Sequence, residues 1–261
     1  MSFLKSLFGK GKDEQPESAA SGGRFATRTD PGKRHSHNED CPVARELPDG
    51  SILLAVADGV GGLGGGEVAS AAAIEAVVDE LSAGDGDIDD RIRKAFSTAN
   101  TRVREAAAAR ADLQRIACTL ALAVVQGRSA RIAHLGDSRI YLFHDGSLRQ
   151  LTEDHSWVAE QVRAGTMTEE DAEQSQFRNV ITRGVGVEET ATLDAIQVVP
   201  LPSPSVLLVC SDGLSKAVAE EELYPALRLE DPELMAERLV EMANEAGGPD
   251  NIAVAVLLIT D

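Results

Sequence analysis

Residues 51–62, SILLAVADGVGG, join an apolar run to an aspartate and a glycine-rich turn. The run from Ser51 to Ala57 is short and apolar, which is typical of a buried strand. It stops at Asp58, so the pattern predicts a strand that delivers a carboxylate at its carboxyl end. The glycines that follow look like a phosphate-binding loop, but no lysine follows them, and neither common nucleotide-binding motif occurs in the chain.

Helix-like and strand-like stretches alternate on both sides of this strand. Apolar residues recur at helical spacing over residues 67–81 and 88–110, and two short helices are expected between 154 and 174. Further strand-like runs are 118–125, 130–134 and 140–143, predicted as an antiparallel meander, and 192–199, 206–210 and 252–259. This order predicts an α+β domain with helices packed outside antiparallel sheets.

The composition is that of a folded, acidic, globular protein. Of 261 residues, 43% are apolar, and 43 acids against 25 bases give a net charge of −18, which argues against nucleic acid as a partner. Three cysteines without CxxC spacing predict free thiols. The sequence has no apolar run of about 18 residues and no signal-peptide pattern, which indicates a cytoplasmic protein, and we expect a monomer.

Residues 1–23 differ from the remainder of the chain. Phe3, Leu4, Leu7 and Phe8 mix with lysines, and a stretch rich in Ser, Ala, Gly and Glu follows. We expect a flexible tail with a short amphipathic segment, ahead of a domain that spans residues 24–261. The tail is interpreted either as a weak membrane or partner contact or as a frayed terminus.

Four aspartates stand at predicted strand ends in glycine-containing turns, namely Asp58, Asp137, Asp212 and Asp250. A single aspartate of this kind is most often a turn former. Four held close together would repel one another unless a cation lay between them, and oxygen ligands favour Mg²⁺, Mn²⁺ or Ca²⁺ over zinc.

Two further acids, Glu39 and Asp40, follow the bases Lys33 and Arg34. Acids for metal ions and a guanidinium for phosphate would then converge. Two metal ions roughly 3.5 to 4 Å apart generate hydroxide at neutral pH and clamp an in-line displacement at phosphorus. The pattern therefore indicates metal-dependent chemistry on a phosphate ester.

The sequence resembles the metal-dependent protein phosphatases of the 2C type, in their compact bacterial form. Seven motifs carry the resemblance and occur in family order over roughly residues 25–259. They are NED (38–40), ADGVGG (57–62) with GEVAS (66–70), GDSR (136–139), LTEDHS (151–156), RNVITR (178–183), SDGL (211–214) and GPDN (248–251).

The resemblance implies a four-layer αββα sandwich of two antiparallel β-sheets flanked by helices, with two Mn²⁺ or Mg²⁺ ions at one end. By motif position, Asp58 would bridge both ions and Gly59 would offer its carbonyl. Asp212 and Asp250 would hold one ion. Glu39 would contact the other ion through water molecules, and Asp40 would orient a water molecule without binding an ion directly.

The resemblance also implies a third, weaker metal ion held by Asp137 and Asp212, with Asn179 nearby, and a mobile flap over residues 154–186. Asn251 would support the site from the last strand. Arg34 would bind phosphate, although the family arginine stands one position later, where this chain has His35. Val60 and Leu63 occupy positions at which relatives carry histidines, and in animal relatives the first of these is proposed to protonate the leaving group.

We therefore expect a bacterial serine/threonine phosphoprotein phosphatase in which a metal-bridging hydroxide attacks phosphorus. Its partners would be phosphoserine and phosphothreonine proteins, either a kinase or the substrates of one. Two alternatives stay open, namely a weak or catalytically silent regulatory module and a phosphatase dedicated to one regulatory partner. The set of metal-binding acids weighs against the silent module, whereas the displaced arginine and the missing histidine keep it open.

Overall fold

Two antiparallel sheets make up the centre of the computed structural model, which describes residues 24–61, 64–83, 86–109 and 116–260. The tail at residues 1–23 and Leu63 lie outside the described residues. The strands are β1 (Arg24–Asp30), β2 (Asp40–Glu46), β3 (Ile52–Val60), β4 (Ala117–Cys118), β5 (Leu120–Gln126), β6 (Ser129–Leu135), β7 (Arg139–His144), β8 (Ser147–Gln150), β9 (Gln197–Pro200), β10 (Ser205–Cys210) and β11 (Ile252–Ile259).

Seven α-helices accompany these strands in the described part of the chain. They are α1 (Gly65–Ser82), α2 (Ile88–Ala109), α3 (Trp157–Arg163), α4 (Glu169–Gln174), α5 (Asp212–Ser215), α6 (Tyr224–Leu227) and α7 (Pro232–Glu245). One sheet has the strand order β1, β11, β10, β7, β8, and the other has the order β2, β3, β5, β6, β9, with β4 paired to β3.

Three apolar clusters define four layers. One cluster fills the space between α1, α2 and the β3 sheet, and a second lies between α7 and the β11 sheet. The third cluster lies between the two sheets. Along β3 and β11, every second residue belongs to this inner cluster and the residues between belong to an outer one, because successive side chains of a strand point to opposite faces. The predicted αββα sandwich is therefore confirmed, with strands buried on both faces.

The predicted meander over residues 118–143 is wrong at its third strand. β5 and β6 pair as expected, but β7 pairs with β8 and β10 in the opposite sheet. Residues 136–138 are thus no hairpin turn, since they carry the chain from one sheet to the other. Periodicity could not show this, because a buried strand has the same pattern in either sheet.

The strand predicted over residues 192–199 is also shorter than expected, since β9 covers only Gln197–Pro200. Within the predicted range, the carbonyl oxygen of Thr192 accepts a hydrogen bond from the guanidinium of Arg183. A side chain therefore satisfies a backbone group that a ladder would otherwise pair.

The strand that contains Asp58 does not end there, as the sequence predicted, but continues to Val60. Residues 52–56 pair with β5, and residues 59 and 60 pair with β4. Asp58 lies at the break between these two partners, where the backbone N–H of Thr119 donates to its carbonyl oxygen at 2.8 Å. The change of partner strand at Asp58 leaves the aspartate inside β3, not at its end.

Two sequence predictions about the chain as a whole can be compared with the structure. All three cysteines are free thiols, as predicted, with Cys118 and Cys210 buried. Across the described ranges, every helix is too short or too polar to cross a membrane.

Candidate metal centre

The register of β2 and β3 places Asp40 directly opposite Asp58. The backbone N–H of Asp58 donates to the hydroxyl oxygen of Thr119 at 3.0 Å, and that oxygen lies 2.7 Å from the hydroxyl of Ser138. Thr119 and Ser138 are both buried. Two buried hydroxyls thus fix the backbone that carries the Asp58 carboxylate.

Asp40 is buried and only partly satisfied. Its Oδ2 accepts a hydrogen bond from the hydroxyl of Ser211 at 2.6 Å, and that hydroxyl accepts one from the backbone N–H of Ala253 at 2.9 Å. Its Oδ1 is also buried and has no hydrogen-bond partner among the described residues. A buried carboxylate oxygen without a partner is costly, so this atom needs a water or a cation.

Glu39 is held against the glycine-rich turn. Its carbonyl oxygen accepts from the N–H of Gly59 at 3.1 Å, and its Oε1 accepts from the N–H of Gly66 at 3.1 Å. A Cβ at position 59 would overlap the carbonyl oxygen of Gly66. Only glycine at position 59 lets these two backbones approach so closely.

Asn251, directly ahead of β11, ties the loop before β2 to the other sheet. Its Oδ1 accepts from the N–H of Glu39 at 2.8 Å, and its Nδ2 donates to the carbonyl oxygens of Pro31 and His37, each at 2.9 Å. All three polar positions of the amide are used on one loop. Asn251 therefore holds the loop that carries Glu39, and its supporting role at a metal site stays a prediction.

Asp250 is contacted by His35 rather than by Arg34. The Nε2 of His35 lies 3.3 Å from Oδ1 of Asp250. Arg34 is exposed, and the part of the chain that the structure describes offers it no ion pair. Its guanidinium faces solvent in the same loop.

Asp137 and Asp212 meet at the side chain of Lys216. The Nζ of Lys216 lies 2.8 Å from Oδ2 of Asp137 and 2.7 Å from Oδ2 of Asp212. Asp137 is buried in the crossing between β6 and β7, and Asp212 begins α5. Asn179, predicted to lie near this pair, is exposed, and the carbonyl of its neighbour Arg178 reaches the site, 3.5 Å from Nζ.

The electrostatics show that these acids form one cluster. Burial raises the pKa of Asp58 well above its usual range, and the charges of Asp40, Asp212, Asp137 and Asp250 raise it further. Burial also raises the pKa of Asp40, and Asp212 and Asp250 add to that shift. The site therefore concentrates negative charge that Lys216 neutralises only in part.

The donor set fits hard divalent cations that keep much of their water. Nowhere in the described ranges do three His, Cys, Asp or Glu side chains surround one point closely enough to bind an ion by themselves. Mg²⁺ typically retains several waters and takes only one or two carboxylates. The unpartnered Oδ1 of Asp40 and the clustered acids supply the oxygen and the charge that such hydrated ions need.

Several residues of the site were not predicted from the sequence. Ser211, Thr119 and Ser138 orient the acids through hydroxyl groups, and no pattern distinguishes them from other serines and threonines in buried strands and turns. Lys216 did leave a signal, because it stands four residues after Asp212, the spacing at which helical side chains meet.

Comparison with known proteins gives one family. The sequence profile of protein phosphatase 2C matches residues 32–252. The serine/threonine phosphatase Stp of Listeria welshimeri is 36% identical over 236 residues, which covers 88% of this chain and 93% of that protein.

Solved structures agree with this result. The serine/threonine phosphatase PstP of Mycobacterium tuberculosis superposes with a TM-score of 0.84 at 33% identity, covering 92% of this chain and 100% of that one. The catalytic domain of PstP in complex with two manganese ions gives a TM-score of 0.81 at 34% identity, covering 92% and 99%.

Proposed function

Because this chain belongs to the protein phosphatase 2C family, we propose that it is a metal-dependent serine/threonine phosphatase that hydrolyses phosphomonoesters on proteins. The convergence of Asp40, Asp58, Asp137 and Asp212 in a cluster whose charge Lys216 compensates only in part carries this proposal. Such a cluster has no structural benefit without cations, since like charges withdrawn from water repel one another. The names of the relatives and the two manganese ions of PstP support the same function.

Asp58, Asp212, Asp250 and the carbonyl of Gly59 would hold two Mn²⁺ or Mg²⁺ ions, with Glu39 acting through waters. When bound, such an ion pair lowers the pKa of a water molecule and stabilises charge on the phosphate oxygens. The chain itself positions the acids: Asp40 would orient water through its unpartnered Oδ1, and Asn251 would fix Glu39 through its backbone.

Arg34 is our candidate for the phosphate-binding residue. Its side chain is exposed, carries a permanent charge and lies in the loop that ends at Glu39. A guanidinium suits this task because its planar fork matches two oxygens of a phosphate. His35 is the less suitable residue, since its ring is engaged with Asp250 at 3.3 Å.

The substrates that we propose are phosphoserine and phosphothreonine proteins, either a kinase or its targets, in the cytoplasm, with the enzyme acting as a monomer. Residues 154–186 would serve as the flap beside the site, because Arg178 in this segment contacts Lys216. Residues 24–261 would form the phosphatase domain, preceded by the tail.

Hydrolysis of p-nitrophenyl phosphate tests the proposal. We expect activity with Mn²⁺, none with chelator, and a loss of at least about 100-fold in kcat for Asp58→Asn, the scale seen when a group that stabilises transition-state charge is removed. Glu237→Gln, which neutralises an exposed carboxylate on α7, is the matched control and should keep full activity.

Activity that survives both the chelator and Asp58→Asn would refute the proposed mechanism. If the wild-type protein binds Mn²⁺ yet hydrolyses neither the ester nor a phosphopeptide, the chain would instead be a silent regulatory module.

A further inference from the structure

The ammonium group of Lys216 fills a pocket of oxygen atoms within the acid cluster. Its Nζ lies 2.8 Å from Oδ2 of Asp137, 2.7 Å from Oδ2 of Asp212 and 3.5 Å from the carbonyl oxygen of Arg178. A lysine ammonium has three N–H donors and no acceptor, so these three oxygens match its full donor capacity. Two of these contacts are short and the third, to the Arg178 carbonyl, is long, so the two carboxylates are the main partners of the ammonium.

We propose that Lys216 is a permanent internal cation at the position where the family resemblance places a third metal ion, so that this chain binds two ions and not three. The inference rests on the proposed function, because it assigns the first two ions to the remaining acids. In this arrangement Asp137 binds Lys216 and is not a metal ligand.

Lys216 and a third metal ion would compete for the same oxygen atoms, and this is why we expect the chain to bind only two ions. A third ion at this position would use carboxylate oxygens of Asp137 and Asp212, at the 2.0 to 2.6 Å that hard cations require. It would then stand next to the ammonium, and two positive charges in such contact repel each other, although the lysine side chain is 31% exposed. To admit the ion, Lys216 would have to give up two charge-assisted hydrogen bonds.

Charge balance favours the same arrangement. Two divalent ions offset four of the six formal negative charges in the cluster, and Lys216 offsets a fifth. The acids counted are Glu39, Asp40, Asp58, Asp137, Asp212 and Asp250. A lysine directly after α5 delivers this charge at every metal concentration, whereas a weakly held ion delivers it only when metal is abundant.

Lys216 also links the 154–186 segment to the acids without metal. It directly follows α5, its side chain is 31% exposed, and it reaches the carbonyl of Arg178 on that segment. The position of the segment near Arg178 should therefore be insensitive to the metal concentration once the first two ions are bound.

The number of bound ions tests the proposal. We would measure Mn²⁺ per chain by equilibrium dialysis and elemental analysis, at rising Mn²⁺, for wild type, Lys216→Ala, Lys216→Asn and Lys94→Ala. Lys94 pairs with Glu80 on the outer helices and is the matched control. We expect two ions per chain in wild type and in Lys94→Ala, and a third, weaker ion in both Lys216 variants.

Three ions in wild type would overturn the inference while leaving the proposed function intact. Two ions in both folded Lys216 variants would overturn it as well, because the vacated oxygens would then have no affinity for a cation. Fewer than two ions in wild type would refute the proposed function itself. If the variants do not fold, the wild-type count and Lys216→Arg, which keeps the charge and should bind two ions, still decide the question.

Discussion

Asp40 and Asp58 face each other across neighbouring antiparallel strands, and both belong to the same charged cluster. Like charges placed directly opposite on a sheet destabilise it, and withdrawal from water enlarges that effect. We therefore expect the pair to destabilise the folded protein without metal and to contribute to its affinity for metal ions.

Asp58→Asn should change the stability of the protein in opposite directions with and without metal. With chelator at pH 8, we expect the free energy of unfolding to rise by at least about 1 kcal/mol, because the substitution removes a repelled charge. Since the pKa of Asp58 is raised in the folded state, the wild-type penalty grows as the pH rises through that pKa, and the gain should vanish near pH 4.

With Mn²⁺ the order of stability should reverse. Wild type gains about 2.7 kcal/mol for each site held at 100 times its Kd, whereas Asp58→Asn loses part of this binding energy. Urea unfolding with chelator and with Mn²⁺ measures both states. A variant that is less stable than wild type in chelator would contradict the prediction.

Ser211→Ala should be destabilising, and Ser205→Ala should not. The Ser211 hydroxyl donates to Asp40 and accepts from the N–H of Ala253, so its loss leaves two buried polar groups unpaired, at a cost of about 1 to 3 kcal/mol. Ser205 is equally buried at the start of β10, but its hydroxyl has no partner among the described residues.

Thermal unfolding with and without Mn²⁺ tests this pair. We expect Ser211→Ala also to bind Mn²⁺ more weakly, because Asp40 loses the bond that orients it. Equal stability of the two variants would show that the Ser211 network contributes nothing.

His155 should make the protein sensitive to mild acid. Its ring stacks on His134 with 4.6 Å between centroids, and its Nδ1 accepts the N–H of Gly136 at 3.2 Å. Burial, assisted by the charges of His134 and Arg183, lowers the pKa of His155 from 6.5 to about 4. The folded state thus keeps a neutral imidazole where the unfolded chain takes up a proton.

The stabilising contribution of His155 is therefore complete above pH 6.5 and is lost as the pH falls toward 4, on the order of 3 kcal/mol in total. In chelator, urea unfolding between pH 7 and 4 should show a smaller loss for His155→Asn than for wild type. An identical pH dependence in the two proteins would exclude this role for His155.

Val60→His should favour substrates with poor leaving groups. Val60 is 43% exposed and follows Asp58 and Gly59 at the end of β3. A histidine there could protonate a serine or threonine leaving oxygen, and general acid catalysis typically contributes at least about 100-fold. The p-nitrophenolate leaving group needs little such assistance.

We expect the ratio of phosphopeptide to p-nitrophenyl phosphate kcat/KM to rise at least about tenfold in Val60→His. An unchanged ratio would indicate that another group already protonates the leaving oxygen in wild type.

The amino-acid pattern predicted much of this architecture because its main signals are local. The apolar run ahead of Asp58 and the helical spacing of residues 67–81 and 88–109 depend on neighbours in the sequence. The motif order around Asp58, Asp212 and Asp250 supplied the acids of the proposed site. The shift of β7 into the opposite sheet could not be predicted in this way, since it depends on which sheet completes its pairing.

The contacts that orient the acids were equally hidden. The bond between Ser211 and Asp40 joins residues 171 positions apart, and the bond between Asn251 and Glu39 joins residues 212 apart. No periodicity connects such distant positions. Lys216 is the exception, because its distance from Asp212 is short enough for a sequence-based argument.

The pairing of β1 with β11 bears on when the enzyme becomes competent during synthesis. β1 begins at Arg24, and its partner runs from Ile252 to Ile259, directly after Asp250 and Asn251. A nascent chain that ends before residue 250 carries Asp40 and Asp58 but lacks the amide that holds Glu39 in place. We therefore expect catalysis to begin only once β11 has left the ribosome and paired with β1.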